Sequence, residues 1–202
     1  MHIMRRKGAP RARKPRGGGI AVVGDFNGDG KLDIAIPTLG AVVPGPGTVA
    51  VFLGNGDGTV QNEADYQIPW GGTYASVADI NHDGKLDIVA SGTSVLLGKG
   101  DGTFVSGWSF GLSSGGGSVA IADINGDGKV DAASISSDTS GKQTLNIFLG
   151  NGAGTFAAPI LFPAAHGSYG LLSIADFNND GALDFAFGGS SSTSVLIQTS
   201  TK

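Results

Sequence analysis

Short apolar runs of four to nine residues, set apart by glycine-rich polar turns, fill the chain from residue 19 onward. Runs rich in Val, Ile, Ala and Phe at 20–24, 75–78, 119–122 and 171–175 each lead into an acidic loop. Further runs at 32–37 and 86–90 lead out of such loops, and a third set follows at 48–53, 94–97 and 144–149. A fourth set lies at 60–68, 104–110 and 156–162. No stretch of ten or more residues keeps a helical period, whereas Asn-Gly and Asp-Gly pairs between apolar runs are strong hairpin signals. The pattern predicts an all-β protein of fifteen strands.

The runs recur as a unit. Asp25-Phe26-Asn27-Gly28-Asp29-Gly30-Lys31-Leu32-Asp33 returns as DINHDGKLD from Asp79, DINGDGKVD from Asp123 and DFNNDGALD from Asp176, at intervals of 54, 44 and 53 residues. A second motif follows in constant order: LGNGDGT at 53–59, LGKGDGT at 97–103 and LGNGAGT at 149–155. Four antiparallel strands in each unit of roughly 45–50 residues match a propeller blade. The expected fold is therefore a β-propeller-type array of about four four-stranded blades, with units at 19–70, 71–113, 114–168 and 169–202. The last unit is expected to lack its fourth strand, which leaves a fragment, a small ring and half of an assembly all open. Small residues just before each loop (Gly24, Ala78, Ala122, Ala175) suit an innermost strand. The second motif is expected to be a hairpin turn.

Charge sharpens this picture. Seven of the 13 Lys and Arg residues fall within the first 16 positions, leaving six against all 17 acidic residues in the rest of the chain. Residues 1–18 show no apolar periodicity and read as a disordered basic arm. No apolar stretch follows those cations, so no secretory signal is read there. Glycine is 36 of 202 residues without a Gly-X-Y period, which excludes collagen. The absence of cysteine excludes disulfides, thiolate metal sites and a cysteine nucleophile. No apolar run reaches the ~18 residues of a membrane-spanning helix.

Twelve of the 17 acidic residues lie in the four loops. Numbered from the first Asp, side-chain oxygens recur at positions 1, 3, 5 and 9: Asp25, Asn27, Asp29, Asp33; Asp79, Asn81, Asp83, Asp87; Asp123, Asn125, Asp127, Asp131; Asp176, Asn178, Asp180, Asp184. Such a set of hard oxygen donors suits calcium, which takes 6–8 of them with tolerant geometry. Glycine at position 6 permits the turn, and the expected donor at position 7 (Lys31, Lys85, Lys129, Ala182) is the backbone carbonyl. Position 4 holds Gly28, His82, Gly126 or Asn179, types that tolerate a left-handed backbone, so His82 reads as a conformational choice rather than a catalyst. These are not EF-hand loops, because position 12 holds Ile36, Ala90, Ser134 and Phe187 in place of Glu. A turn-only role would not require three carboxylates in all four copies, and unscreened carboxylates at close range would repel. About four calcium ions are expected.

These segments, each followed by an LGNGDGTF-like turn, closely resemble FG-GAP/VCBS repeats, the units of integrin-α-type β-propellers and of many bacterial surface and secreted proteins. The resemblance covers about 19–198. It implies calcium at the sixteen side chains named above and at the position-7 carbonyls. It also implies adhesion or recognition of an extracellular protein or glycan, with an extracellular or cell-surface location. Ligands of such propellers meet the face opposite the calcium loops, which points to 70–74, 113–117 and 166–169, with Trp70, Tyr74 and Tyr169 as candidate contacts. Connections at 38–47 and 136–143 would share that face. Open blade edges suggest self-association; neither a membrane span nor a nucleic-acid partner is expected.

Catalysis finds little support in the sequence. Residues 111–115 (GLSSG) match a nucleophile-elbow pattern but lack the helix that motif requires. With a single Glu (Glu63) and most Asp in the loops, a glycosidase carboxylate pair is hard to assemble. The expectation is a non-catalytic module, the alternative an accessory or catalytic propeller domain of a secreted polysaccharide-degrading enzyme.

Overall fold

The computed structural model describes residues 18–39, 46–91, 94–109, 117–138, 140–166, 170–188 and 193–199. The expected basic arm, apart from Gly18, lies outside the described residues. The described residues form fifteen strands in four antiparallel sheets and no helix. None is therefore a helix long and apolar enough to cross a membrane.

Each sheet follows chain order. The first comprises β1 (Val22–Gly24), β2 (Asp33–Thr38), β3 (Gly47–Phe52) and β4 (Ala64–Ile68). The second comprises β5 (Ala75–Ala78), β6 (Asp87–Ala90), β7 (Ser94–Gly98) and β8 (Phe104–Ser109). In the third are β9 (Val119–Ala122), β10 (Asp131–Ser137), β11 (Lys142–Phe148) and β12 (Ile160–His166). The fourth has three described strands, β13 (Leu172–Ala175), β14 (Asp184–Gly188) and β15 (Thr193–Leu196). Strands β1, β5, β9 and β13 neighbour one another in succession, the arrangement of propeller blades around an axis.

Strand alternation explains the stacking, because successive side chains point to opposite faces of a sheet. In each sheet, the row through position 10 of the loop (Ile88, Ala132, Phe185 in sheets two to four) faces the preceding sheet. The row through position 11 (Ala35, Val89, Ala133 in sheets one to three) faces the following one. Ala35, Val51 and Phe26 thus pack with Ile88, Leu96 and Phe104. Val89, Val95 and Ile80 pack with Ala132, Phe148 and Phe156, and Ala133, Ile147 and Ile124 pack with Phe185 and Leu172. These three junctions are the hydrophobic cores, and none of them joins the first sheet to the fourth.

The outer strands of units one and three start later than expected. Val60 and Phe156 form isolated bridges with Gly54 and Gly150, after which the chain leaves the ladder and rejoins it at Ala64 and Ile160. Gly54 pairs with Val60 whereas Val51 pairs with Ala64, so one extra residue is accommodated on the outer strand, as in a β-bulge. In unit two, Phe104 instead pairs directly with Gly98 and the strand runs on without a break there.

Candidate metal centre

Each acidic loop joins the first two strands of its sheet and is built from its own amides. Oδ1 of Asp25 accepts hydrogen bonds from the N–H groups of Gly28 (2.8 Å) and Asp29 (3.1 Å), and Oδ2 accepts one from Gly30 (2.8 Å). Gly84, Gly128 and Gly181 donate in the same way to Asp79, Asp123 and Asp176 at 2.8, 2.8 and 2.9 Å. The position-3 Asn oxygen accepts the position-5 amide in all four loops, at 2.9–3.0 Å. The position-5 carboxylate accepts the position-7 amide at 2.8–3.0 Å.

This wrapping needs a left-handed backbone at positions 4 and 6. His82 and Asn179 adopt φ of 58° and 61° beside 73° and 75° for Gly28 and Gly126, while the position-6 glycines lie between 78° and 86°. His82 is therefore held by the loop's shape, in the conformation that Asn and Gly adopt elsewhere.

Position 9 differs from the others. Asp33, Asp87, Asp131 and Asp184 are all fully buried at 0% exposure. One oxygen of each accepts the position-2 amide: Phe26 (2.8 Å), Ile80 (3.0 Å), Ile124 (2.9 Å) or Phe177 (2.9 Å). The other accepts an amide at the end of the third strand, from Gly54, Gly98 and Gly150 at 2.7 Å and from Gln198 at 2.9 Å. Position 9 ties the acidic loop to the second glycine motif. Burial pushes the Asp87 and Asp131 carboxyls above their ordinary value, outweighing the backbone amides that favour the anion.

A second feature not anticipated from the sequence is the position-7 ammonium. Lys31, Lys85 and Lys129 lie 3.0, 3.6 and 3.0 Å from the carboxylates of Asp29, Asp83 and Asp127. The lysine hydrogen bonds hold Asp29 and Asp127 below the ordinary carboxylate value. In the fourth loop Ala182 supplies no ammonium, and the Gly181 amide is the main cause lowering Asp176. The signal was visible as a Lys two residues after an Asp, a spacing that a reading devoted to backbone donors passes over.

The second motif folds as a hairpin turn. Asn55, Lys99 and Asn151 donate their amides to the carbonyls of Thr59, Thr103 and Thr155 at 2.9–3.0 Å. Oδ1 of Asp57 and of Asp101 receives the amide and the hydroxyl of Thr59 and Thr103. Where Ala153 stands instead, Asn151 receives the local amides of Ala153 and Thr155. The turn also braces the preceding blade: the Gly102 amide donates to the Phe26 carbonyl in the first acidic loop at 3.0 Å.

For a cation, the loops offer only hard oxygen, from carboxylate, carboxamide and carbonyl groups. Oδ2 of Asp25 and of Asp123 takes one amide and retains a second lone pair, whereas Oδ1 of each takes two amides. Among the described residues, no group of three or more Asp, Glu, His or Cys side chains is gathered closely enough to hold an ion as it stands. The donor chemistry fits calcium, and in three loops a lysine ammonium stands at the position-5 carboxylate as a cation of the chain's own.

The candidate ligand face is less well supported by the geometry. Tyr74 packs against the junction of the second and third sheets, with its backbone tied to Ser91. Trp70 is half-buried. Tyr169, along with 113–116, 41–45 and 139, lies outside the described residues.

Comparison with known families matches the FG-GAP-like repeat over 25–90, 89–134 and 123–187. No curated protein matches the chain. The matches begin at the first acidic loop and together span all four loops, the strands between them and most of the fourth sheet. The chain belongs to the FG-GAP-like repeat family.

Proposed function

We propose that the chain is a calcium-binding, non-catalytic β-propeller module that recognises an extracellular protein or glycan. The observation that carries this reading is the fourfold recurrence of one loop with the same hydrogen-bond frame and the same oxygen donors. Positions 1, 3, 5 and 9 of each loop, with the position-7 carbonyl, would hold about four calcium ions. Bound calcium would neutralise the loop carboxylates, replacing the lysine at position 5 in the first three loops. The frame already fixes the position-1 and position-9 side chains, so binding would ask mainly for rearrangement at the more exposed position 5.

Recognition is placed on the face away from the acidic loops, with Trp70 as its accessible aromatic. Extracellular calcium is abundant enough to fill weak sites, which supports a location outside the cell. An array of glycans and matrix proteins, probed in calcium and again in EDTA, tests the reading. Calcium-dependent retention of one ligand class is the expected result. Silence across the array under both conditions would count against recognition.

A further inference from the structure

The three junctions follow one rule, and the two ends of the array leave that rule half satisfied. At position 2 of the loops, Phe26, Ile80 and Ile124 are only 2%, 2% and 6% exposed, because the following sheet contributes to the core over each. Phe26, for example, meets Phe104 of the second sheet edge-on at 5.4 Å. Phe177 occupies the same position in the fourth loop, with the same backbone bond to its position-9 Asp, yet is 46% exposed. On the same face, Ser173, Ala186 and Val195 form the cross-strand row that in the earlier sheets packs against the next blade, and Val195 is exposed.

The first sheet shows the converse. Its position-10 row is Val23, Ile34 and Phe52, paired across β1, β2 and β3. The corresponding rows are Val77, Ile88 and Leu96 in the second sheet and Ile174, Phe185 and Leu196 in the fourth. Those rows belong to the junction cores, whereas Val23 is 58% exposed and Ile34 and Phe52 belong to none of the three. One end therefore presents an uncovered following-face, and the other an uncovered preceding-face.

We propose that these two faces join head to tail between copies of this chain, the first sheet of one copy covering Phe177 of the next. The occupant is a second copy because the chain's own first sheet carries the counterpart of the position-10 row that shares a core with each internal position-2 residue. The contact continues the internal junctions, face on face, rather than adding a strand at an edge. It is heterologous, so it closes into a ring if the rotation allows and otherwise extends. Two copies joined at both junctions hold eight blades, the upper end of the usual propeller range of about 4–8. The proposal does not depend on calcium in the loops.

The test is sedimentation equilibrium of the full chain across the micromolar to millimolar range, with Val23→Glu and Phe177→Glu variants. Both side chains are exposed, and a far-UV circular dichroism spectrum matching that of the wild type, with a cooperative melting transition, shows that each variant is folded. The expected result is a wild type at twice the 20.2 kDa chain mass or higher multiples, with each variant alone monomeric. An equimolar mixture of the two variants is expected to form dimers and nothing larger, because one intact pair of faces remains. A wild type that stays monomeric throughout would overturn the proposal. So would a single variant that associates as strongly as the wild type, since that requires like faces to pair.

Discussion

Within one loop, position 9 and position 5 carry the same carboxylate but do different work. Asp131 is fully buried, with its two oxygens taking the amides of Ile124 and Gly150, residues 7 and 19 away in sequence. Asp127 lies at the surface, takes an amide two residues away and pairs with Lys129. The first fastens three parts of a blade together, whereas the second tunes the rim of a loop. Sequence repetition makes the two look equivalent, and burial separates them.

The largest effect that would sharpen this contrast is Asp131→Ala or Asp87→Ala. Each removal orphans two backbone amides in the interior at roughly 1–3 kcal/mol apiece, so the loss is about 2–6 kcal/mol. Urea unfolding in EDTA should show that loss in full, because the latch works without metal. Asp127→Ala under the same conditions should cost far less, and equal costs would break the distinction.

A smaller effect is expected from Lys31→Ala. The pair with Asp29 is exposed, so its loss in EDTA should change stability far less than loss of a buried position-9 carboxylate does. If the lysine occupies the place of calcium, the variant should bind calcium more tightly, by a few-fold at most because the pair is exposed. The fourth loop, with Ala182, is the natural control and should resemble the variant.

The smallest effect is the separation of titrations. In metal-free protein, the Asp87 and Asp131 carboxyls should titrate above 3.8, and Asp29 and Asp127 below it. The two buried groups hold their protons more tightly folded than unfolded. The proton-linked part of their contribution is complete below 3.8 and is lost as pH rises through their raised values. The surface pair behaves oppositely: its contribution is present above 3.8 and is lost as pH falls through the lowered values. Carboxyl carbon NMR in EDTA reads both, and coincident titrations would contradict the contrast.

Much of the fold was legible because it rests on local rules. Turn residues at fixed offsets marked the strands, and His82 and Asn179 at position 4 announced the left-handed backbone that their φ values display. What escaped is long-range or geometric. Nothing local to Asp33 says that its far oxygen will meet the amide of Gly54, 21 residues on. Tyr74 lies half-buried against the junction of the second and third sheets, a contact that its place in a loop does not announce. The bulges in units one and three likewise arise from pairing with a partner strand, which apolar runs do not encode.

Calcium binding by the four loops is the claim on which the functional reading stands, and isothermal titration of the EDTA-stripped chain, paired with its melting curve, tests it directly. The expected result is uptake of about four ions per chain with a rise in melting temperature that EDTA reverses. No uptake at millimolar calcium, with a melting curve unmoved by either calcium or EDTA, would contradict it.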